Sequence, residues 1–133
     1  FESVNIVLGG IEYPSVEHAY ASAKSDCMIW KSKCATHTNS AGKIKREGAK
    51  VSLVENWDEI KVDIMANCLE QKYAQEPYKT KLLNTQNLWI EEGNAWGDSF
   101  WGVDIETRQG FNILGELIMD IRHDLRDENK SDI

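Results

Sequence analysis

The run Tyr13-Pro14-Ser15-Val16-Glu17-His18-Ala19-Tyr20 is the first stretch of the sequence whose residue types suggest chemistry. Pro14 stops whatever strand precedes it, and Ser15 offers the hydroxyl of an N-cap, so a helix is expected from there to about Lys24. On such a helix Glu17 and Lys24 stand seven residues apart. Seven steps of about 100° return to nearly the same direction, which puts the carboxylate and the amine on one side. Val16, Ala19, Tyr20 and Ala23 form the adjoining apolar stripe, so both groups are expected at the edge of the buried face. In that setting they can have shifted pKa values and act as acid, base or nucleophile. The plainer reading is a glutamate complementing a helix N-terminus and an unrelated surface lysine, and spacing alone favours it. His18, taken by itself, reads as structural or surface-facing.

Asp98-Ser99-Phe100-Trp101-Gly102 is the second such run. The chain has 5 tryptophans, and Trp89, Trp96 and Trp101 fall close together in a stretch rich in Gly and Asp with no sustained period. Tryptophan in an irregular loop either packs into the core, which is the default, or forms a stacking wall for a planar ligand. Asp98 beside such a wall could hold ribose hydroxyls or stabilise positive charge. As a plain structural residue it forms a turn. A third feature is Lys43, Lys45, Arg46 and Lys50 in an otherwise acidic chain. They could hold phosphate near a helix N-terminus, although a solvated helix face is the simpler account. No GxGxxG, P-loop or nucleophile-elbow serine occurs, and His18, His37 and His123 lack the spacing of a zinc site. No metal and no cofactor is expected.

The elements that must position these residues are mostly helical. Ile6-Val7-Leu8, Gly9-Gly10 and Ile11-Glu12-Tyr13 read as a short hairpin, because Gly-Gly supplies the positive φ of a tight turn. Thr38 to Lys50 reads as a short basic helix. Asn56 and Glu59 have the form of a capping box ahead of a stripe of Ile60, Ile64 and Cys68, widened by Met65 and Leu69. Pro77 ends that helix or opens the next, which carries Leu82 and Leu83. Leu88-Trp89-Ile90 is a possible short strand. Leu114, Leu117, Ile118, Ile121 and Leu125 repeat at helical spacing, with the helix expected to end near Arg126 and residues 127–133 forming a polar tail. There is no repeat, no low-complexity stretch and no alternating βαβ pattern.

A chain of 133 residues suggests a single domain over residues 1–133. Apolar residues make up 41% and charged residues 28%, an ordinary soluble balance. The net charge of −7 makes tight non-specific nucleic-acid binding a poor expectation. No apolar run approaches the roughly 20 residues of a spanning helix, so no membrane partner is expected. Cys27, Cys34 and Cys68 are odd in number and form no Cys-x-x-Cys pair, which favours free thiols in a reducing compartment and a cytoplasmic location. The first residue is Phe1 rather than Met, so the N-terminus is expected to be truncated from a longer reading frame.

Taken together, these runs resemble one family. Tyr13 to Tyr20, followed by Ala23-Lys24, resembles the YPSVEHAYQAAK segment of the YbiA-like family, also called NADAR. Trp57-Asp58, Lys61 and Met65 are similar to that family's R-x-D-W…K…M helix, and Leu69-Glu70-Gln71-Lys72-Tyr73 to its L-x-x-K-F segment. Leu82-Leu83-x-Thr85, Ile90-Glu91, Asp98-x-x-Trp101-Gly102, Gly110-x-Asn112-x-Leu114-Gly115 and Met119-x-Ile121-Arg122 continue in order. The likeness spans residues 11 to 125, with each piece weak and the order strong. Two departures stand out. The family's Ser-Asn-Phe segment upstream of the hairpin survives here at most as Phe1. The arginine that precedes its Asp-Trp pair has no counterpart in Glu55-Asn56-Trp57-Asp58.

The resemblance implies a compact, mainly α fold with a short N-terminal hairpin and few short strands. It implies hydrolysis of an N-glycosidic bond between a base-like nitrogen and C1 of a phosphorylated ribose. The substrates it brings are phosphoribosylamino-pyrimidine intermediates of riboflavin biosynthesis, or ADP-ribose on guanine, free or in single-stranded nucleic acid. The residues it marks as catalytic are Glu17, Lys24 and Asp98, with Lys24 attacking C1 to form a Schiff base and Glu17 as acid and base. Trp101 and Trp57 are expected as walls, and Tyr20, His18 and Asn112 complete the substrate-binding set. The chemistry asks that burial raise the pKa of Glu17 and lower that of Lys24. It also asks that helix and indole loop share one cavity. The alternative is a module that binds NAD or ADP-ribose without turnover.

Overall fold

A computed structural model describes residues 2–131, with side chains through residue 128. Phe1, read above as the remnant of the Ser-Asn-Phe segment, lies outside the described residues, as do Asp132 and Ile133 of the expected tail. The described residues form six helices and four short strands, the mainly α architecture expected. Contacts divide the chain after Gln75 into two units.

The first unit opens with the expected hairpin. Strand β1 (Ile6–Leu8) pairs antiparallel with β2 (Ile11–Tyr13) in the register Ile6↔Tyr13 and Leu8↔Ile11. Gly9 and Gly10 both adopt positive φ, 56° and 80°, the turn that matches the twist of paired strands. The outer edge of β1 meets a side chain in place of a strand. Gln71 accepts from the Val7 amide at 2.8 Å and donates to its carbonyl at 2.8 Å.

Four helices follow: α1 (Val16–Ser22), α2 (Met28–Ala35), α3 (Ala41–Gly48) and α4 (Trp57–Tyr73). Helix α1 is the hub, packing on α2, α3, α4 and both strands. It puts Ala19 at full burial, in a core shared with Ile6, Cys34, Ile44 and Cys68. Ser15 caps α1 as expected, accepting from the His18 amide at 3.1 Å. The helix ends at Ser22, however. Ala23 and Lys24 bond back to Tyr20 and Ala21, three residues away, which tightens the last turn. Helix α2 has no counterpart in the sequence reading. Its N-cap Cys27 makes no capping bond, and Met28 and Ile29 are exposed, so neither of the usual helix signals is present.

The second unit, from Glu76, contains α5 (Tyr78–Leu83), the parallel pair β3 (Gly93–Asn94) and β4 (Val103–Asp104), and α6 (Ile113–Ser131). Helix α6 buries Ile118, Ile121 and Leu125 of the expected stripe and continues to Ser131, beyond the end expected near Arg126. Leu88-Trp89-Ile90 is not a strand. Side chains of α6 and its cap take the backbone groups a neighbouring strand would have taken. Arg122 donates to Leu88 O at 2.9 Å, Asn112 donates to Ile90 O at 2.9 Å, and the Ile90 amide meets the Met119 sulfur at 3.4 Å.

Candidate active site

In the first unit the candidate site is built at the end of α1. Lys24 lies just past the helix, and its carbonyl accepts from the Val54 amide at 2.8 Å, which ties that turn to the segment before α4. Its Nζ lies 5.8 Å from the centroid of the Tyr20 ring. The Tyr20 ring packs in turn on Trp57, with centroids 5.2 Å apart and planes tilted by 56°. Trp57, the first residue of α4, is buried, whereas Tyr20 is half-buried. Beside the aromatic pair runs an open depression of about 450 Å³ lined by residues 53–59.

Lys24 is half-buried, and among the described residues its amine has no carboxylate or hydrogen-bond partner. Burial, reinforced by the nearby Lys45 ammonium, holds it below the usual lysine range. This is the direction an amine nucleophile needs. The wall behind it comes from residues that spacing did not reveal. Trp30 of α2 is buried and donates from Nε1 to Ala21 O at 2.9 Å, and Gly48 closes α3 against that indole. Trp30 escaped notice because its helix carries no amphipathic signal.

Glu17 stands exposed on α1, so the burial expected of it is absent. Its charge bears on Cys68 and Lys72 of α4, whereas Lys24 feels Lys45 of α3. The two expected partners therefore have different charged neighbours, and the tightened turn after Ser22 removes the simple seven-residue alignment. His18 is fully buried. Its Nδ1 meets Ser15 Oγ at 2.6 Å and its Nε2 meets Asn39 O at 2.7 Å. Both ring nitrogens are thus engaged in fastening the entry of α1 to the segment before α3.

In the second unit Asp98 organises the indole loop. Its Oδ1 accepts from the amides of Phe100 at 3.2 Å and Trp101 at 2.9 Å, the turn-forming role noted in the sequence. Its own backbone is clasped by the buried Asn94, through bonds of 2.8 and 3.0 Å. Trp101 is half-buried and meets Phe100 edge-on at 4.9 Å. Trp89 and Trp96 are 60% and 69% exposed, so only one of the three loop tryptophans is partly sheltered. Asn112 is buried with φ +53°. It donates to Ile90 O and accepts from the Glu92 amide, both at 2.9 Å, so its amide serves the protein's own backbone.

The NADAR domain model matches residues 2–126. The chain belongs to the NADAR family. The NMR structure of the E. coli protein YbiA superposes with a TM-score of 0.82 at 26% identity, over 96% of this chain and 76% of that one. A riboflavin biosynthesis protein of Vibrio vulnificus is 29% identical over 130 residues, 96% of this chain. The chloroplastic riboflavin biosynthesis protein PYRR of Zea mays is 27% identical over 125 residues, 85% of this chain. An N-glycosidase of Acanthamoeba polyphaga mimivirus is 33% identical over 79 residues, 51% of this chain and 46% of that protein. The NADAR chain spans 35% of the Vibrio protein and 20% of the maize one. None of its described helices is long and apolar enough to cross a membrane.

Proposed function

We propose that this NADAR chain is an N-glycosidase that hydrolyses the bond between a base-like nitrogen and C1 of a phosphorylated ribose. The observation that supports it most is the Lys24 amine: half-buried, held below the usual lysine range and, among the described residues, bonded to no carboxylate. A structural lysine is normally paired or solvated. An amine whose pKa is lowered by burial beside an aromatic ring gives up its proton more readily than a surface lysine, which suits it to attack carbon. That the mimivirus relative is named an N-glycosidase and the Vibrio relative a riboflavin biosynthesis protein supports this reading.

The reaction balances as follows. The Lys24 lone pair attacks C1 and the C1–N bond breaks, its electrons passing to the departing base nitrogen, which takes a proton from Glu17. Lys24 loses a proton and expels the ring oxygen, which is protonated, leaving an imine at C1. Water adds to the imine, and cleavage of the C1–Lys24 bond returns the amine and frees ribose phosphate. Glu17 stands in solvent in the free protein. The water-poor surroundings a carboxyl needs as proton donor arise once substrate covers it. Asp98 is assigned the developing positive charge on the ribose and Trp101 the stacking of the base. Tyr20 and Trp57 line the approach to the amine. His18 and Asn112, engaged internally, contribute by holding the backbone that carries these groups.

The substrate is ADP-ribosylated guanine, free or in a single strand, or a phosphoribosylamino-pyrimidine of riboflavin synthesis. Purified protein is incubated with ADP-ribosyl-guanosine and separately with the pyrimidine riboside phosphate, and released base is followed by mass spectrometry. Release from one of them, lost in Lys24→Ala and Glu17→Ala, supports the reading. Release from neither overturns it. Binding of ADP-ribose without release, unchanged in Lys24→Ala, would establish the non-catalytic binding module.

A further inference from the structure

Helix α1 ends at Ser22, two residues before Lys24. An α-helix leaves its last four carbonyls without partners inside the helix. Here each of the four is taken. Ala19 O accepts from Ser22 Oγ at 2.6 Å, and Tyr20 O from the Ala23 amide at 3.2 Å. Ala21 O accepts twice, from the Lys24 amide at 3.2 Å and from the Trp30 indole N–H at 2.9 Å. Ser22 O accepts from Lys31 Nζ at 3.0 Å. The carbonyl of Lys24 itself accepts from the Val54 amide at 2.8 Å.

Two adjacent side chains of α2 thus donate to two adjacent carbonyls of α1. Helices commonly close on a residue of positive φ, usually glycine. Neither Ala23 nor Lys24 takes positive φ, so that closure is not used and side chains of another helix supply it. The Trp30 N–H and the Lys24 amide share one acceptor, so any shift of the indole is passed directly to the lysine backbone. The same indole rests on α3. A methyl group in place of the Gly48 hydrogen would stand 3.5 Å from the Trp30 ring and 3.8 Å from Lys24 Nζ, so indole and amine flank one spot on the α3 backbone.

We propose that Trp30 and Lys31 are positioning residues for Lys24: side by side on α2, they clamp the open end of α1 and fix where the lysine amine stands. Neither touches a reacting atom. A nucleophile gains rate from being held in place, and a misplacement of about 1 Å can cost on the order of 100-fold. Trp30 acts through Ala21 O, the acceptor it shares with the Lys24 amide, and Lys31 through the next carbonyl along. The inference rests on the reading of Lys24 as nucleophile and assigns what holds that nucleophile.

The test uses ribose 5-phosphate with borohydride. The Lys24 amine adds to the C1 aldehyde, water leaves, and hydride reduces the C=N bond to a stable adduct counted by peptide mass spectrometry. The trapping rate is followed against pH in the unsubstituted chain and in four variants. Lys31→Met and Trp30→Phe should each lower the plateau by about tenfold or more and leave the midpoint pH where it was. Lys31→Arg can still donate to Ser22 O and should recover most of the rate. Ile29 is 82% exposed on the same helix, so Ile29→Ser controls for a general loosening of α2 and should trap like the unsubstituted chain. Circular dichroism verifies folding, and the half-buried Lys31 keeps the test open if Trp30→Phe unfolds. A plateau untouched by Lys31→Met overturns the clamp. A kept plateau with an alkaline shift of the midpoint overturns it too, because Lys31 would then act by its charge. No adduct at Lys24 in the unsubstituted chain sinks the nucleophile reading and the clamp together. Should trapping respond as expected while neither substrate releases base, the clamp stands and the glycosidase reading fails alone.

Discussion

At the scale of single residues, burial sorts the reactive side chains. Lys24 is pushed toward its neutral form, so its reactive fraction rises with pH and levels off below the usual lysine range. Trapping with ribose 5-phosphate and borohydride should therefore follow a curve that saturates before that range. A curve still climbing through pH 10–11 would mean an ordinary surface lysine. Lys24→Arg should abolish trapping at every pH, because a guanidinium does not deprotonate. Glu17→Gln should spare trapping of the free sugar and slow base release by about 10²–10⁴-fold, since only release needs a proton donor. The three cysteines are free. Burial pushes Cys34 and Cys68 up to about 12, so about one part in 10⁴ of either is thiolate at pH 8. Iodoacetamide at that pH should label the exposed Cys27 alone, and peptide mapping that finds the other two labelled before unfolding would contradict the packing.

At the scale of elements, the sequence announced what local chemistry encodes and hid what distant side chains supply. Gly9-Gly10 fixed the hairpin, Ser15 the start of α1, and the apolar stripe the course of α6. The end of α1 was not legible, because nothing in Ser22-Ala23-Lys24 announces a tightened turn. Helix α2 lacks both stripe and cap, and with it went Trp30, the wall of the candidate site. Leu88-Trp89-Ile90 has strand-like residues, yet Arg122, Asn112 and Met119 satisfy its backbone from 22 to 34 positions away. Asn112 is the clearest of these clasps, and its removal gives a quantitative test. Asn112→Ala deletes two part-buried bonds, one to the Ile90 carbonyl and one from the Glu92 amide. The expected cost is about 2–4 kcal/mol, read as a lower urea midpoint. Gly115→Ala should be comparably damaging, since a Cβ there would run into Ile90 O and the Asn112 amide. Leu88→Ala, at a side chain 70% exposed, should shift stability by less than about 0.5 kcal/mol. If Asn112→Ala proved as mild as Leu88→Ala, the clasp would not be what holds this segment.

At the scale of the whole molecule, charge decides how a substrate arrives. Through Gln75 the chain carries nine basic and ten acidic residues, and from Glu76 onward six and twelve, giving a net charge of −7. The cations that could meet a phosphate, Lys43, Lys45, Arg46 and Lys50, lie in the nearly neutral part. A mononucleotide presents few charges and can enter such a local site against a weak overall field. A nucleic-acid strand brings a charge at every phosphate, to a protein whose net charge is −7. Salt therefore has opposite signs for two kinds of enzyme. One that grips the strand through many lysine and arginine contacts loses affinity as salt rises, because releasing counterions into a more concentrated solution gains less free energy. This chain should gain, because added ions screen a net repulsion. With ADP-ribosyl-guanine carried in a single-stranded oligonucleotide, kcat/KM should stay level or rise between about 50 and 200 mM salt. With the same group on a free nucleotide it should change little. A fall of tenfold or more on the oligonucleotide alone would reveal a cationic track along the strand, and nucleic acid rather than the free nucleotide would then be the better candidate substrate.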